Sequence, residues 1–223
     1  MNPDDLDEAP VADPVVTREN SGRALTHGAL GLAVLAALLV GVLATLWVVQ
    51  VRTSPPSEFG ADAGFSRDMQ THHQQAVEMS LLVRDRTSDE EVRTVAYDIL
   101  TSQQQQAGQM YGWLVAWGLP QTSSRPPMAW VGGEHAAAHT DADGRMAGMV
   151  SPEQMDALEM ADGVEAERLF LRLMIDHHEG GVAMADAAVD DARTDEVRAL
   201  AGAISRAQAT EIELLERMLA ERS

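Results

Sequence analysis

The residues best suited to chemistry sit in two short stretches, MQTHHQQAVEM at 69–79 and MIDHHEGGVAM at 174–184. Each holds a pair of adjacent histidines, His72-His73 and His177-His178. Each pair is framed by methionines, Met69 and Met79 in the first stretch, Met174 and Met184 in the second. Imidazole nitrogen suits copper, zinc, iron and nickel, and the soft thioether directs the donor set toward Cu(I), with other transition metals left open. Residues three apart share a helix face, so Met69 with His72, and Met174 with His177, can reach one ion. For a single histidine on an apolar face the bland alternative is a hydrogen-bonded core residue, and for a single methionine it is core filling. Core filling is the reading adopted for Met110, Met155, Met160 and Met218. A second set, Met128, Glu134, His135, His139, Met146 and Met149, lies in a Gly- and Pro-rich stretch. It reads equally as an accessory metal site or lid and as a solvated loop.

The two stretches are copies. A shift of 105 residues lays one on the other without a gap, and the match continues through Glu91-Val92-Arg93 on Glu196-Val197-Arg198, Ile99 on Ile204, Gln103 on Gln208 and Gln106 on Glu211. Two helical hairpins of one pattern bury their apolar faces against each other, which predicts an all-α four-helix bundle with a pseudo-twofold axis. Helices are predicted from Ala61 to Arg86, from a Ser88-Asp89-Glu90-Glu91 capping box to Trp117, from Gly163 to Val189, and from a Thr194 cap nearly to the end. Ser151-Pro152-Glu153 starts a short extra helix. The bundle spans 61–223: repeat one is 61–117, the connection 118–162 and repeat two 163–221.

Helical spacing puts Phe65, Met69, His72, Ala76, Met79 and Val83 on one inward seam, and Phe170, Met174, His177, Gly181, Met184 and Ala188 on its counterpart. His73 and His178 fall at the seam's edge. The second and fourth helices are apolar inside except at Gln103, Gln106, Gln208 and Glu211. Buried polar groups are costly unless paired, so these residues and the seam histidines predict one polar cluster. His72 is then within reach of Gln106 or Glu211, and such partners would fix the imidazole tautomers from outside a metal site.

Residues 1–24 are polar and read as a disordered cytoplasmic tail. Residues 25–51 contain an uncharged run, ALGLAVLAALLVGVLATLWVVQV at 29–51, long enough to cross a bilayer. The reading is a single-pass signal anchor in the cell membrane, with a linker at 52–60 and the bundle outside the cytoplasm. Cleavage after the segment is the alternative.

The net charge of −19 disfavours nucleic acid as a partner. With no cysteine, disulfides and thiolate sites are excluded. No Glu precedes a His by three residues, as di-iron bundles require, and zincin, phosphate-loop and GxSxG motifs are missing. A non-catalytic protein is expected.

FSRDMQTHHQQAVEMS and LFLRLMIDHHEGGVAMA, with MAGMVSPEQM before the second, resemble the family called domain of unknown function 305 over about residues 60–220. The resemblance implies a ferritin-like four-helix bundle, secreted or membrane-anchored, with copper binding in some members. It marks Met69, His72, His73, Met79, Met174, His177, His178 and Met184 as the shared site, with Met146 and Met149 in the loop motif. The expected function is copper sequestration or transfer. The alternative is an interaction or scaffold module whose His/Gln/Glu cluster is structural.

Overall fold

A computed structural model describes residues 21–132 and 139–222. Its elements are α1 (Ser21–Thr53), α2 (Ala61–Arg86), α3 (Glu90–Ala116), α4 (Pro152–Met160), α5 (Gly163–Asp191) and α6 (Asp195–Ala220). No strand forms among the described residues; an isolated antiparallel bridge joins Thr140 and Met146. The chain divides into a unit ending at Ser54 and a unit from Pro55 onward.

The first unit is α1. Its 23-residue stretch Gly28–Gln50 is apolar and long enough to cross a membrane by length and composition. Leu30, Leu35, Leu38, Leu43 and Trp47 all stand exposed, so the helix is apolar all round. Helix begins at Ser21, inside the stretch assigned to the tail. The disorder expected of residues 1–20 lies outside the described residues.

The second unit is the expected pair of hairpins. α2 packs along α3, α5 packs along α6, and the hairpins join through α2 and α5. Phe65 and Met69 near the start of α2 share an apolar cluster with Met184 and Ala188 near the end of α5. Met79 and Val83 share a second cluster with Phe170 and Met174. The two central helices therefore run antiparallel, as a twofold between the repeats demands.

Local sequence explains the ends. The N-cap of α3 is Asp89, whose carboxylate accepts from Val92 N at 3.0 Å, rather than Ser88 as the capping-box pattern predicts. Thr194 caps α6, and Ser151 with Gln154 forms a capping box on α4. Gly118, at φ 68°, takes the left-handed turn that closes α3. Met160, expected in the core, is 79% exposed at the end of α4.

Buried acids lock the hairpins to each other. Asp62, in the first turn of α2, accepts from Thr194 N at 2.8 Å and from Arg193 N in the α5–α6 turn. Its repeat counterpart Glu167, near the start of α5, accepts from Thr87 Oγ1 at 2.5 Å in the α2–α3 turn. Arg222 adds to that end, donating to Glu167 at 2.8 Å and pairing with Asp89 at 3.0 Å. Each hairpin's turn is thus held by the first helix of the other.

Candidate metal centre

Between the two apolar clusters lies a polar layer built from all four bundle helices. α2 supplies His72 and His73, α5 supplies His177 and His178, α3 supplies Gln103 and α6 supplies Gln208, all buried. The His72 and His177 rings face each other across the pseudo-twofold, with centroids 3.7 Å apart and planes 33° from parallel. Glycines beside His177 and His178 let other groups come close to the layer. A Cβ at Gly181 would stand 2.2 Å from Gln208 Oε1, and one at Gly180 would stand 2.0 Å from the Ala147 carbonyl oxygen.

His73 and His178 are fully buried rather than at the edge of the seam, because α3 and α6 cover them. His73 Nε2 lies 2.8 Å from Gln106 Oε1, and His178 Nε2 lies 2.6 Å from Glu211 Oε2. The sequence places Gln106 and Glu211 within reach of His72; the structure gives them to its neighbour and to His178, while His72 Nε2 meets the Ala147 carbonyl at 3.3 Å. His177 Nε2 meets the His72 carbonyl at 3.0 Å.

These contacts set the tautomers. A main-chain carbonyl or a carboxylate can only accept, so Nε2 carries the proton in His72, His177 and His178. Gln106 occupies Glu211's place in the repeat and presents its amide oxygen to His73 in the same way. Every one of the four rings is left with Nδ1 as a buried lone pair that has no hydrogen-bond partner. The amides of Gln103 and Gln208 are also unpartnered. Native interiors rarely leave so many polar atoms unpaired in one layer.

Loss of hydration keeps His72, His73 and His177 neutral. Burial, opposed only in part by the Ala147 carbonyl, pushes His72 down to about 3. Burial and the neighbouring His72 push His73 to about 3 as well. His177 is driven well below the usual histidine range by burial, then by His72 and His178. A neutral imidazole is the form that ligates metal.

Met69, Met79, Met174 and Met184 are all fully buried. Met69 groups with Met184 on one side of the layer, and Met79 with Met174 on the other. The thioethers therefore associate across the repeats. The second, loop set divides. Met146 is buried in the cluster of Met69 and Met184, and Met149 packs against it. His139 instead lines a recess with Val131, Asp186, Asp190 and Asp191. Glu134 and His135 lie outside the described residues. Among the described residues no three His, Asp or Glu side chains converge as a ready-made metal cage, so a soft ion here would draw on imidazole together with thioether.

Sequence reasoning passed over the Ala147 carbonyl and Gly180, whose bare backbone admits it. The signal was present: Gln75 lies opposite Gly180 in the repeat, a conspicuous mismatch beside otherwise matching His pairs.

The family model described as Domain of unknown function (DUF305) matches residues 62–219. The chain belongs to the DUF305 family. A DUF305 crystal structure from Streptomyces coelicolor, provisionally named a secreted protein, is 47% identical and covers 74% of this chain and 96% of its own, with a TM-score of 0.68. A DUF305 fragment from Deinococcus radiodurans is 34% identical over 72% of this chain and 96% of its own, TM-score 0.59. CopM in its Cu(I)-bound form, 24% identical over 72% of this chain and 96% of its own, shares the fold at a TM-score of 0.55. A comparison with curated proteins found no match. For this DUF305 member, the matched region takes in the whole histidine layer and excludes α1.

Proposed function

We propose that this DUF305 protein binds copper, as Cu(I), in the histidine layer, and sequesters it or hands it on outside the cytoplasm while α1 anchors the chain in the membrane. The observation that carries the reading is the set of four buried, unpartnered Nδ1 atoms flanked by buried methionines. The ligands are His72, His73, His177 and His178 through Nδ1, with Met69, Met79, Met174 and Met184 as soft donors. Gln106 and Glu211 hold the Nε2 protons and so keep Nδ1 free to bind. Copper on CopM, a protein of the same fold, supports the choice of metal. Thioether and imidazole also remain usable in an oxidising compartment, where paired thiols would not.

The test is a Cu(I) titration of the metal-free protein against a chromophoric chelator, beside Zn(II) and beside the double variant His72→Ala/His177→Ala. Tight Cu(I) binding lost in the double variant is the expected outcome. Binding no stronger than that of an unrelated acidic protein would sink the reading.

A second reading takes the layer as structural, a polar device that fixes helix register for an interaction module. That no His/Asp/Glu cage converges among the described residues favours it. It predicts that His72→Leu/His177→Leu is tolerated or stabilising and that chelators leave stability unchanged.

A further inference from the structure

All four histidines are fully buried, so an ion reaches Nδ1 only when some cover moves. His73 and His178 are covered by α3 and α6, helices of 27 and 26 residues held by continuous backbone ladders. The cover over His72 is different in kind. Residues 146–150 form an irregular segment that crosses the histidine layer from one apolar cluster to the other. Met146 is buried in the cluster with Met69 and Met184, and Val150 in the cluster with Met79 and Met174. Between them, Ala147 presents its carbonyl to His72 Nε2. Gly148, at φ 77°, lies so close to α5 that a Cβ there would stand 2.5 Å from the Asp176 carbonyl oxygen.

One side chain fastens this segment from both directions. Gln75 Nε2 donates to the Val150 carbonyl at 2.9 Å, and Val150 N donates to Gln75 Oε1 at 2.7 Å. The repeat counterpart of Gln75 is Gly180, whose bare backbone lets Ala147 come against α5. The mismatch in the repeat thus has a physical reason: a single segment crosses the axis, so one helix supplies the latch and the other supplies the seat.

We propose that residues 146–150 are a lid over the histidine layer, that its opening admits and releases the metal, and that Gln75 is the latch that sets how often it opens. This rests on the metal-binding reading above. Local opening draws on the segments with the fewest interior bonds. Here those within the crossing are few: Ala147 N to the His139 carbonyl at 2.9 Å and Met149 N to the Met146 carbonyl at 3.1 Å. The lid also carries thioethers, Met146 inside and Met149 partly open to solvent, which can follow an ion inward as it closes. Gln75 spends its amide on the lid backbone and acts as a positioning residue.

The test uses the full chain in lipid nanodiscs, with Gln75→Leu, which keeps bulk and removes both hydrogen bonds, Gln75→Asn as a milder change, and the exposed Gln74→Ala as a control. Hydrogen exchange on the metal-free protein reads the latch directly. In Gln75→Leu, amides 147–150 exchange roughly ten-fold faster or more, while amides in the middle of α2 and α5 keep wild-type protection. Stopped-flow uptake of Ag(I), and its removal by a chelator, then both accelerate by a similar factor with equilibrium affinity little changed. Gln75→Asn lies between, and Gln74→Ala matches wild type. Faster lid exchange with unchanged metal rates overturns the lid, as does unchanged lid exchange. If the wild type binds neither Ag(I) nor Cu(I), the functional reading has failed and the gate falls with it, whereas the exchange data still report the latch.

Discussion

At the residue scale, four imidazoles share one arrangement: Nε2–H is committed to an oxygen and Nδ1 is left free. The oxygens differ in origin, being two main-chain carbonyls, one amide and one carboxylate. Their common effect is to select one tautomer. Burial of the rings links folding to pH. The folded values of His72 and His73, about 3, lie below that of an unfolded histidine near 6.5, so the unfolded chain binds more protons in between. The stability from keeping these rings neutral is present in full above pH 6.5 and is lost as the pH falls toward 3. Urea midpoints of the metal-free protein should therefore drop between pH 6.5 and 5, before most carboxylates titrate. The slope is up to about 1.4 kcal/mol per pH unit for each such histidine. His72→Leu should flatten it; a slope unchanged by that substitution would contradict the assignment. At Gly180 the contact is steric. Gly180→Ala places a methyl 2.0 Å from the Ala147 oxygen and should cost about 1–3 kcal/mol in chemical denaturation.

At the element scale, reciprocal capping joins the hairpins. Asp62 on α2 serves the α5–α6 turn, and Glu167 on α5 serves the α2–α3 turn. Each acid is 5% exposed or less, so removing it strands buried donors on the other hairpin. Asp62→Ala and Glu167→Ala should each lower stability by about 1–3 kcal/mol. Because α2 and α5 run antiparallel, the two acids lie at opposite ends of the bundle, and the double variant should show nearly additive loss. Strong coupling in that cycle would mean that the ends communicate through the α2–α5 contact. Asp89→Ala, which removes the true N-cap of α3, should cost about 1 kcal/mol.

At the scale of the whole molecule, the two units obey different solvents. α1 exposes apolar side chains around its full circumference, while the bundle buries an apolar core in two clusters. Residues 55–223 should accordingly remain in the soluble fraction and give a cooperative thermal transition by circular dichroism. The full chain should sediment with membranes. Repeat one alone, 61–117, should be largely unfolded, since repeat two supplies a large share of each apolar cluster. A stable isolated hairpin would refute the view that the duplication is the folding unit.

Much of this was legible in the chain alone. Period and repeat determine the four long helices, their pairing and the inward His, Met and Gln positions, because an apolar stripe recurring along a helix has only one face to bury. The uncharged run at 29–51 determines a helix suited to hydrocarbon for a similar reason. Other features depended on which groups met after packing. Spacing placed His73 and His178 at an edge, but α3 and α6 close over that edge and bury them. Spacing offered Gln106 and Glu211 to His72, but the helix crossing gives them to His73 and His178. Exposure of Met160 follows from where α4 ends against α2 and α5, which no local pattern encodes. The role of Ala147 was invisible to side-chain reasoning, since a carbonyl oxygen belongs to every residue and acquires a role only from what it touches. Gln75 and Gly180 differ between the two copies, and the reason shows only once a single segment is seen to cross the twofold. Sequence alone determined the elements and their polar faces; the tertiary structure decided which polar atoms meet, because hydrogen bonds are short and directional while the hydrophobic pattern is neither.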